Sequence, residues 1–174
     1  MSGELWFTAL VAVVGLERLA ELVVATRNAR WAFARGGVET GARHYPPMVV
    51  LHSALLVACL VEVWVADRAF VGWLGWSMLA IVVASQALRW WCVATLGRQW
   101  NTRVIVVPGL SLVRRGPYRW MPHPNYVAVA VEGLALPLVH SAWVTALSFT
   151  VLNTLLLLRI RIPTEERALA GATP

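Results

Sequence analysis

The chain contains no lysine: all 15 of its basic residues are arginine, against nine acidic ones, and only 14% of its 174 residues carry charge. A soluble domain has about 25% charged residues, so this scarcity already argues against a solvated surface. Cysteine is as sparse. Cys59 and Cys92 fall inside apolar runs with no paired spacing, which excludes a disulfide framework and a zinc site and leaves them as small buried hydrophobes; no metal is expected. There is no internal repeat, low-complexity tract or flexible linker, so the chain reads as one compact unit. The first apolar run lacks a basic leader and carries Glu17, Arg18 and Glu21, features that a cleavable signal peptide does not have.

What is abundant is apolar sequence: 59% hydrophobic residues and a mean hydropathy of +0.64. The net charge of +6 does not indicate nucleic-acid binding, because the arginines cluster between apolar runs, as positive-inside topology requires. Five spans can be drawn, Glu4–Thr26, Pro47–Ala66, Phe70–Val93, Pro124–Val139 and Ala142–Ile160, each near the ~20 residues a bilayer core needs except the short fourth. Arg27, Arg30, Arg35 and Arg43 share one loop, Arg98 to Arg119 supply five more to another, and Arg159, Arg161 and Arg167 lie in the tail. The opposite side holds only Arg68. The expectation is therefore an all-α integral membrane protein of five transmembrane helices, N-terminus outside and C-terminus cytosolic, in the cytoplasmic membrane of a bacterium. Its single domain divides into a three-helix half (1–93) and a half with a cytosolic loop region, a helical hairpin and a short C-terminal helix (94–174).

Ionisable groups inside spans cost about 3 kcal/mol each on insertion scales, so Glu17, Arg18, Glu21, Arg89 and Glu132 need partners or a wet cavity. At 1.5 Å per residue, Glu21, His52, Arg89 and Asn153 lie roughly 7–10 Å from the cytosolic ends of their spans, with Glu17 and Glu132 about 12–15 Å in. A polar layer shared by all five spans is expected. Its bland reading is structural: Glu21–Arg89 or Glu17–Arg18 ion pairs, and His52 bonded to a backbone carbonyl. Its functional reading is a buried site opening toward His123. Glu62 lies near the outer end of its span and is expected to stand apart.

The stretch Arg119-Trp120-Met121-Pro122-His123-Pro124-Asn125-Tyr126 opens the run Val127–Leu158. Pro124 suits the first helical position, where its missing donor costs nothing, and the N–H groups of Asn125 and Tyr126 are expected to present partial positive charge to a carboxylate or phosphate. The preceding loop, with Pro108-Gly109 as its turn, predicts a hairpin or interfacial flap between residues 102–107 and 110–113. Trp100 and Trp120 are candidates to line a pocket, whereas Trp31, Trp64, Trp73 and Trp143 read as interfacial anchors.

Gly116-Pro117-Tyr118-Arg119, then His123-Pro124-Asn125-Tyr126, a helical hairpin, Arg159-Ile160-Arg161 and Glu165-Glu166 resemble the isoprenylcysteine carboxyl methyltransferase family and its phospholipid-methylating relatives, over about the last 80 residues. Glu17-Arg18-Leu19-Ala20-Glu21, Arg27-Asn28, Glu39-Thr40-Gly41, His44-Tyr45-Pro46 and Leu51-His52 resemble the branch that O-methylates alkylresorcinols and alkylpyrones made by type III polyketide synthases, which implies a functional link to such a synthase. The resemblance implies S-adenosylmethionine as cofactor, S-adenosylhomocysteine as product, and an amphipathic small-molecule or lipid acceptor. It puts His123, Asn125, Tyr126, Tyr118, Glu165 and Glu166 on the cofactor, supported by Arg159 or Arg161. Glu21, Arg89 and Trp120 are the candidate acceptor contacts. Prenylcysteine methyltransferases read Arg-His-Pro where this chain has Pro122-His123-Pro124, so a carboxylate acceptor lacks its obvious cation unless Arg119 substitutes. A phenol near pKa 10 would need a base, for which His52, Glu17 and Glu132 are candidates. Two other readings stay open: methylation of a prenylcysteine or phospholipid headgroup, and an NADPH-dependent membrane reductase, against which the short chain counts.

Overall fold

The computed structural model describes residues 2–171. Its long elements are helices α1 (Ser2–Phe33), α2 (Tyr45–Val65), α3 (Gly72–Leu96), α4 (Pro124–Leu138) and α5 (Trp143–Leu156), followed by a π-helical turn, Leu157–Arg161, and α6 (Ile162–Ala170). Proline marks several starts: α2, α4 and α6 each carry one in their first two positions, where the missing N–H leaves no bond unmade. α1 continues seven residues beyond the expected Thr26. No helix breaker occurs before Gly36 (φ 76°) and Gly37, whose N–H donates back to the Ala32 carbonyl at 2.9 Å.

Half of the bundle is packed with apolar side chains, among them Phe7, Val14, Leu55, Val63, Leu136 and Phe149. α4 and α5 approach closely because residue 133 is glycine: a Cβ there would stand 2.0 Å from Phe149 Cε1. Small residues at such crossings are what packing between helices in lipid needs. The exterior is also apolar, with Leu16 (66% exposed), Val57, Trp73, Leu147 and Val151 facing outward. Such a belt is matched by hydrocarbon and not by water. This is a helical membrane protein. Three segments, Ala42–Val65, Gly72–Gln99 and Trp143–Ala170, are each long and apolar enough to cross a bilayer. α1 is interrupted by Glu17, Arg18 and Glu21, and α4 has only 15 residues.

At the end away from the arginine-rich loops, Glu62 of α2 accepts from the Val144 and Thr145 N–H groups (3.2 and 2.7 Å) and from Thr145 Oγ1, while pairing with Arg68 at 2.9 Å. It caps the start of α5 from a neighbouring helix, satisfying donors that would otherwise be orphaned.

Two expectations are corrected at the opposite end. The molecule is not purely α: β1 (Val38–Thr40) and β2 (Val104–Val106) pair antiparallel, with Val38 opposite Val106 and Thr40 opposite Val104. The chain turns at Pro108-Gly109, where the Leu110 N–H donates to the Val107 carbonyl at 3.3 Å, but 110–113 forms no strand, and the partner of β2 is the α1–α2 loop. Asn28 reinforces the same seam, donating to the carbonyls of Gly97 (3.1 Å) and Trp100 (2.7 Å), while Asn101 donates to Ala25 (3.0 Å).

Candidate functional site

One cavity of about 860 Å3 runs from the middle of the bundle to the arginine-rich loops, and its two ends differ chemically. At the loop end α4 begins at Pro124, with His123 as its N-cap. The Tyr126 N–H is not free, as expected from sequence, but donates to the His123 carbonyl at 3.1 Å. His123 stacks on the Tyr126 ring (centroids 5.4 Å apart), and its Nε2 lies 3.4 Å from Glu166 Oε1. The Tyr126 hydroxyl donates to Glu165 and accepts from Arg161 Nε at 3.1 Å. A second Arg161 nitrogen donates to the Thr102 carbonyl at 2.5 Å, so α6, α4 and the β2 segment are tied together at one point.

Local backbone geometry places these groups. The π turn widens the helix by one residue between α5 and α6, so that Arg161 is buried in the cavity wall while Arg159 is exposed. Of the two arginines, Arg161 is the one at the site, and Arg159 is corrected to a surface position. Asn125 lines the cavity, and its Oδ1 is buried without a hydrogen-bond partner, an acceptor still owed a donor. Tyr118 and Trp120 line it too, Trp120 edge-on to Trp91. Burial first, then the neighbouring Cys92 and Glu165, push the Tyr118 hydroxyl well above the ordinary tyrosine range, so it stays a protonated donor.

At the bundle end the cavity is lined by Arg18, His52, Ser53, Leu56 and Arg89. Glu17, Glu21 and Glu132, expected in the same wall, are not among the residues that line it. Arg18 spans three helices: it donates to Glu21 at 2.7 Å, to Gln86 at 3.0 Å and to Glu132 at 2.6 Å. Arg89 holds Glu21 through two nitrogens. Glu17 accepts from Gln86 and from the Trp90 indole. Three carboxylates in a low-dielectric interior cannot stay charged and unpaired, so the guanidiniums and amide consume them. The expected polar layer is present, but Glu17 pairs with Gln86 and Trp90, not with Arg18. Gln86 escaped the sequence reading. Its signal was a polar residue one turn before Arg89 in an otherwise apolar run.

His52 bonds a backbone carbonyl through Nδ1, 2.8 Å from Met48 O, and its ring meets Phe149 edge-on at 5.3 Å. Asn153, placed by depth in the polar layer, is buried and does not line the cavity; its side-chain amide finds no partner. Among the described residues no cluster of His, Cys, Asp and Glu has the arrangement of a metal site.

Residues 78–171 match the model of the isoprenylcysteine carboxyl methyltransferase (ICMT) family. Over 94% of its length the chain is 38% identical to an uncharacterized Bacillus subtilis protein, YpbQ, covering 96% of that protein. It is 25% identical to an uncharacterized Haemophilus influenzae protein over 97% of this chain and 95% of the other.

Proposed function

The chain belongs to the isoprenylcysteine carboxyl methyltransferase family, a family of membrane methyltransferases, and from this premise we propose that it is an S-adenosylmethionine-dependent O-methyltransferase whose acceptor is an amphipathic polyketide phenol or pyrone. The observation that carries the reading is the single cavity joining the His123–Tyr126–Glu165–Glu166 cluster to the Arg18–His52–Arg89 end. A polar cofactor and a lipid-tailed acceptor need such a passage between unlike environments.

The residues at the loop end fit the cofactor. Glu165 and Glu166 offer carboxylates to an ammonium, Asn125 Oδ1 lacks a donor, and His123, Tyr118 and Tyr126 supply rings and polar edges, with Arg161 fixing Tyr126. When bound, the cofactor supplies an electrophilic methyl group on a sulfonium. The protein's task is then to align an acceptor oxygen with that carbon and to exclude water. The strap formed by β1 and β2 contributes to exclusion, since residues 102–107 line the cavity. At the other end Ser53 is exposed and also lines the cavity, giving a tail a route toward hydrocarbon. In this reading the chain crosses the membrane five times with its N-terminus outside, and a type III polyketide synthase makes the acceptor.

Methylation of a prenylcysteine carboxylate is the second reading, favoured by one observation: Arg89 and Arg119 both line the cavity and can meet a carboxylate despite Pro122. Transfer of labelled methyl in nanodiscs separates the two. We expect alkylresorcinols or alkylpyrones to be methylated on oxygen and farnesylcysteine to be a poor acceptor; the reverse result leaves the family and removes the acceptor class. Calorimetry should show S-adenosylhomocysteine binding and no NADPH binding.

A further inference from the structure

We propose that His52 is the base that removes the acceptor's hydroxyl proton, acting through Nε2. The inference rests on the methyltransferase reading above and narrows it. Of the carboxylates near the bundle end of the cavity, each is already engaged. Both Glu132 oxygens lie within 2.6 Å of one Arg18 nitrogen, the Glu17 oxygens accept from Gln86 and Trp90, and Glu21 is shared by Arg18 and Arg89. Glu21 and Glu132 are poor proton acceptors because taking a proton breaks an ion pair, and protonating Glu17 would take an acceptor from the Gln86 amide and the Trp90 indole.

His52 differs in both position and bonding. Its ring lines the cavity, and the 2.8 Å contact from Nδ1 to Met48 O decides its tautomer. A carbonyl oxygen can only accept, so Nδ1 carries the proton, and the neutral ring has its lone pair on Nε2. No described side chain or backbone group bonds Nε2. The Phe149 edge fixes the ring's orientation, as a base within hydrogen-bond reach of a substrate requires. The charged groups facing His52 are Arg18 and Glu21 from α1 and Arg89 from α3, while α5 presents only the Phe149 ring. Arg89 also lines the cavity and is placed to stabilise negative charge growing on the acceptor oxygen.

The step balances without any other reactant. The acceptor O–H bond breaks and its proton goes to Nε2; an oxygen electron pair forms the bond to the methyl carbon. The carbon–sulfur bond breaks with its pair on sulfur, leaving a neutral thioether, and the imidazolium returns its proton to water. A carboxylate acceptor, already ionised, needs no such base. The geometry therefore favours a neutral phenol or enol.

Two measurements test this. In protein labelled with 15N-histidine and free of cofactor, the His52 resonances, identified by their loss in His52→Asn, should show the Nδ1–H tautomer, and a 5-alkylresorcinol should shift Nε2 far more than Nδ1. A merely structural histidine would not respond to the acceptor. In the methyl-transfer assay His52→Asn, whose amide can keep the Met48 bond, should lower kcat by about 10²–10⁴-fold with S-adenosylhomocysteine affinity unchanged, and should abolish the acid limb of the pH–rate profile. A wild-type rate and pH profile in His52→Asn, or an Nε2–H tautomer in the wild type, overturns the base assignment alone. A wild-type protein that methylates no hydroxyl acceptor overturns the functional reading and the base role with it.

Discussion

Glu132 is 6% exposed at the centre of three helices, and its removal tests whether the carboxylate layer is structural. In Glu132→Ala, Arg18 loses the acceptor that binds it at 2.6 Å and keeps only Glu21 at 2.7 Å and Gln86 at 3.0 Å. Breaking a buried pair by deleting one partner costs about 3–5 kcal/mol, because the surviving charge is stranded. For a chain of this size each kcal/mol moves the melting temperature by about 2–4 °C, so a fall of roughly 6–20 °C is expected. The double substitution Arg18→Met with Glu132→Leu removes both charges and should recover most of that loss, because Glu21 retains Arg89. Thermal unfolding of detergent-purified protein, followed by the fluorescence of its ten tryptophans, reads both effects. A Glu132→Ala protein that melts like the wild type but transfers no methyl would refute the reasoning and return Glu132 to the chemistry.

Glu165→Ala should weaken S-adenosylhomocysteine binding by about 1.5–3 kcal/mol in calorimetry, and more than Glu166→Ala does, since the Glu165 side chain is half as exposed and also holds Tyr126. Equal, unchanged affinities would reduce the pair to acidic residues at a helix start. Gly133→Ala should destabilise by about 1–3 kcal/mol or more through its clash with Phe149, and should also depress turnover by displacing the ring that orients His52; adding Phe149→Leu should restore stability. Tyr118 binds its proton more tightly folded than unfolded. Its contribution to stability is thus complete below about pH 10 and is lost as pH rises beyond that, a slope that Tyr118→Phe should reduce in alkaline melts.

How much of this was legible in the chain varies by element. The helix start at Pro124 and the polar depth of His52 and Arg89 follow from spacing and helix rise, whereas the grouping of His123, Tyr126 and Glu165 comes only from the family resemblance; the structure brings His52, Arg89, His123, Tyr126 and Glu165 to one cavity. Carboxylates in an apolar run announce that they need partners. They do not announce which, because Arg18 reaches Glu132 across 114 positions of sequence, and only packing decides that Glu132 faces the guanidinium and not the cavity. The pairing of β1 with β2 was hidden for a related reason: three-residue strands carry almost no pattern, and a local Pro-Gly turn offered a nearer partner. The choice of Arg161 over Arg159 was also out of reach. A regular 3.6-residue period assigns faces correctly only while the helix stays regular.

That irregular turn bears on how the gene can change length. Residues Leu157–Arg161 accommodate one residue more than an α-helical turn would hold. Deleting Leu157 or Leu158 would close the turn into regular α-helix and leave everything beyond in nearly the same rotational register, whereas deleting one residue from the regular part of α5 would rotate everything beyond by about 100°. In the second case Arg161, Glu165 and Glu166 would swing away from Tyr126 and His123 together. A single-codon deletion in this turn is thus tolerable where the same deletion earlier in α5 would dismantle the site, and the exposed loop at Pro108-Gly109 can absorb added residues without turning any helix. Length in the regular part of α5 is therefore under the same constraint as the identity of the residues it positions.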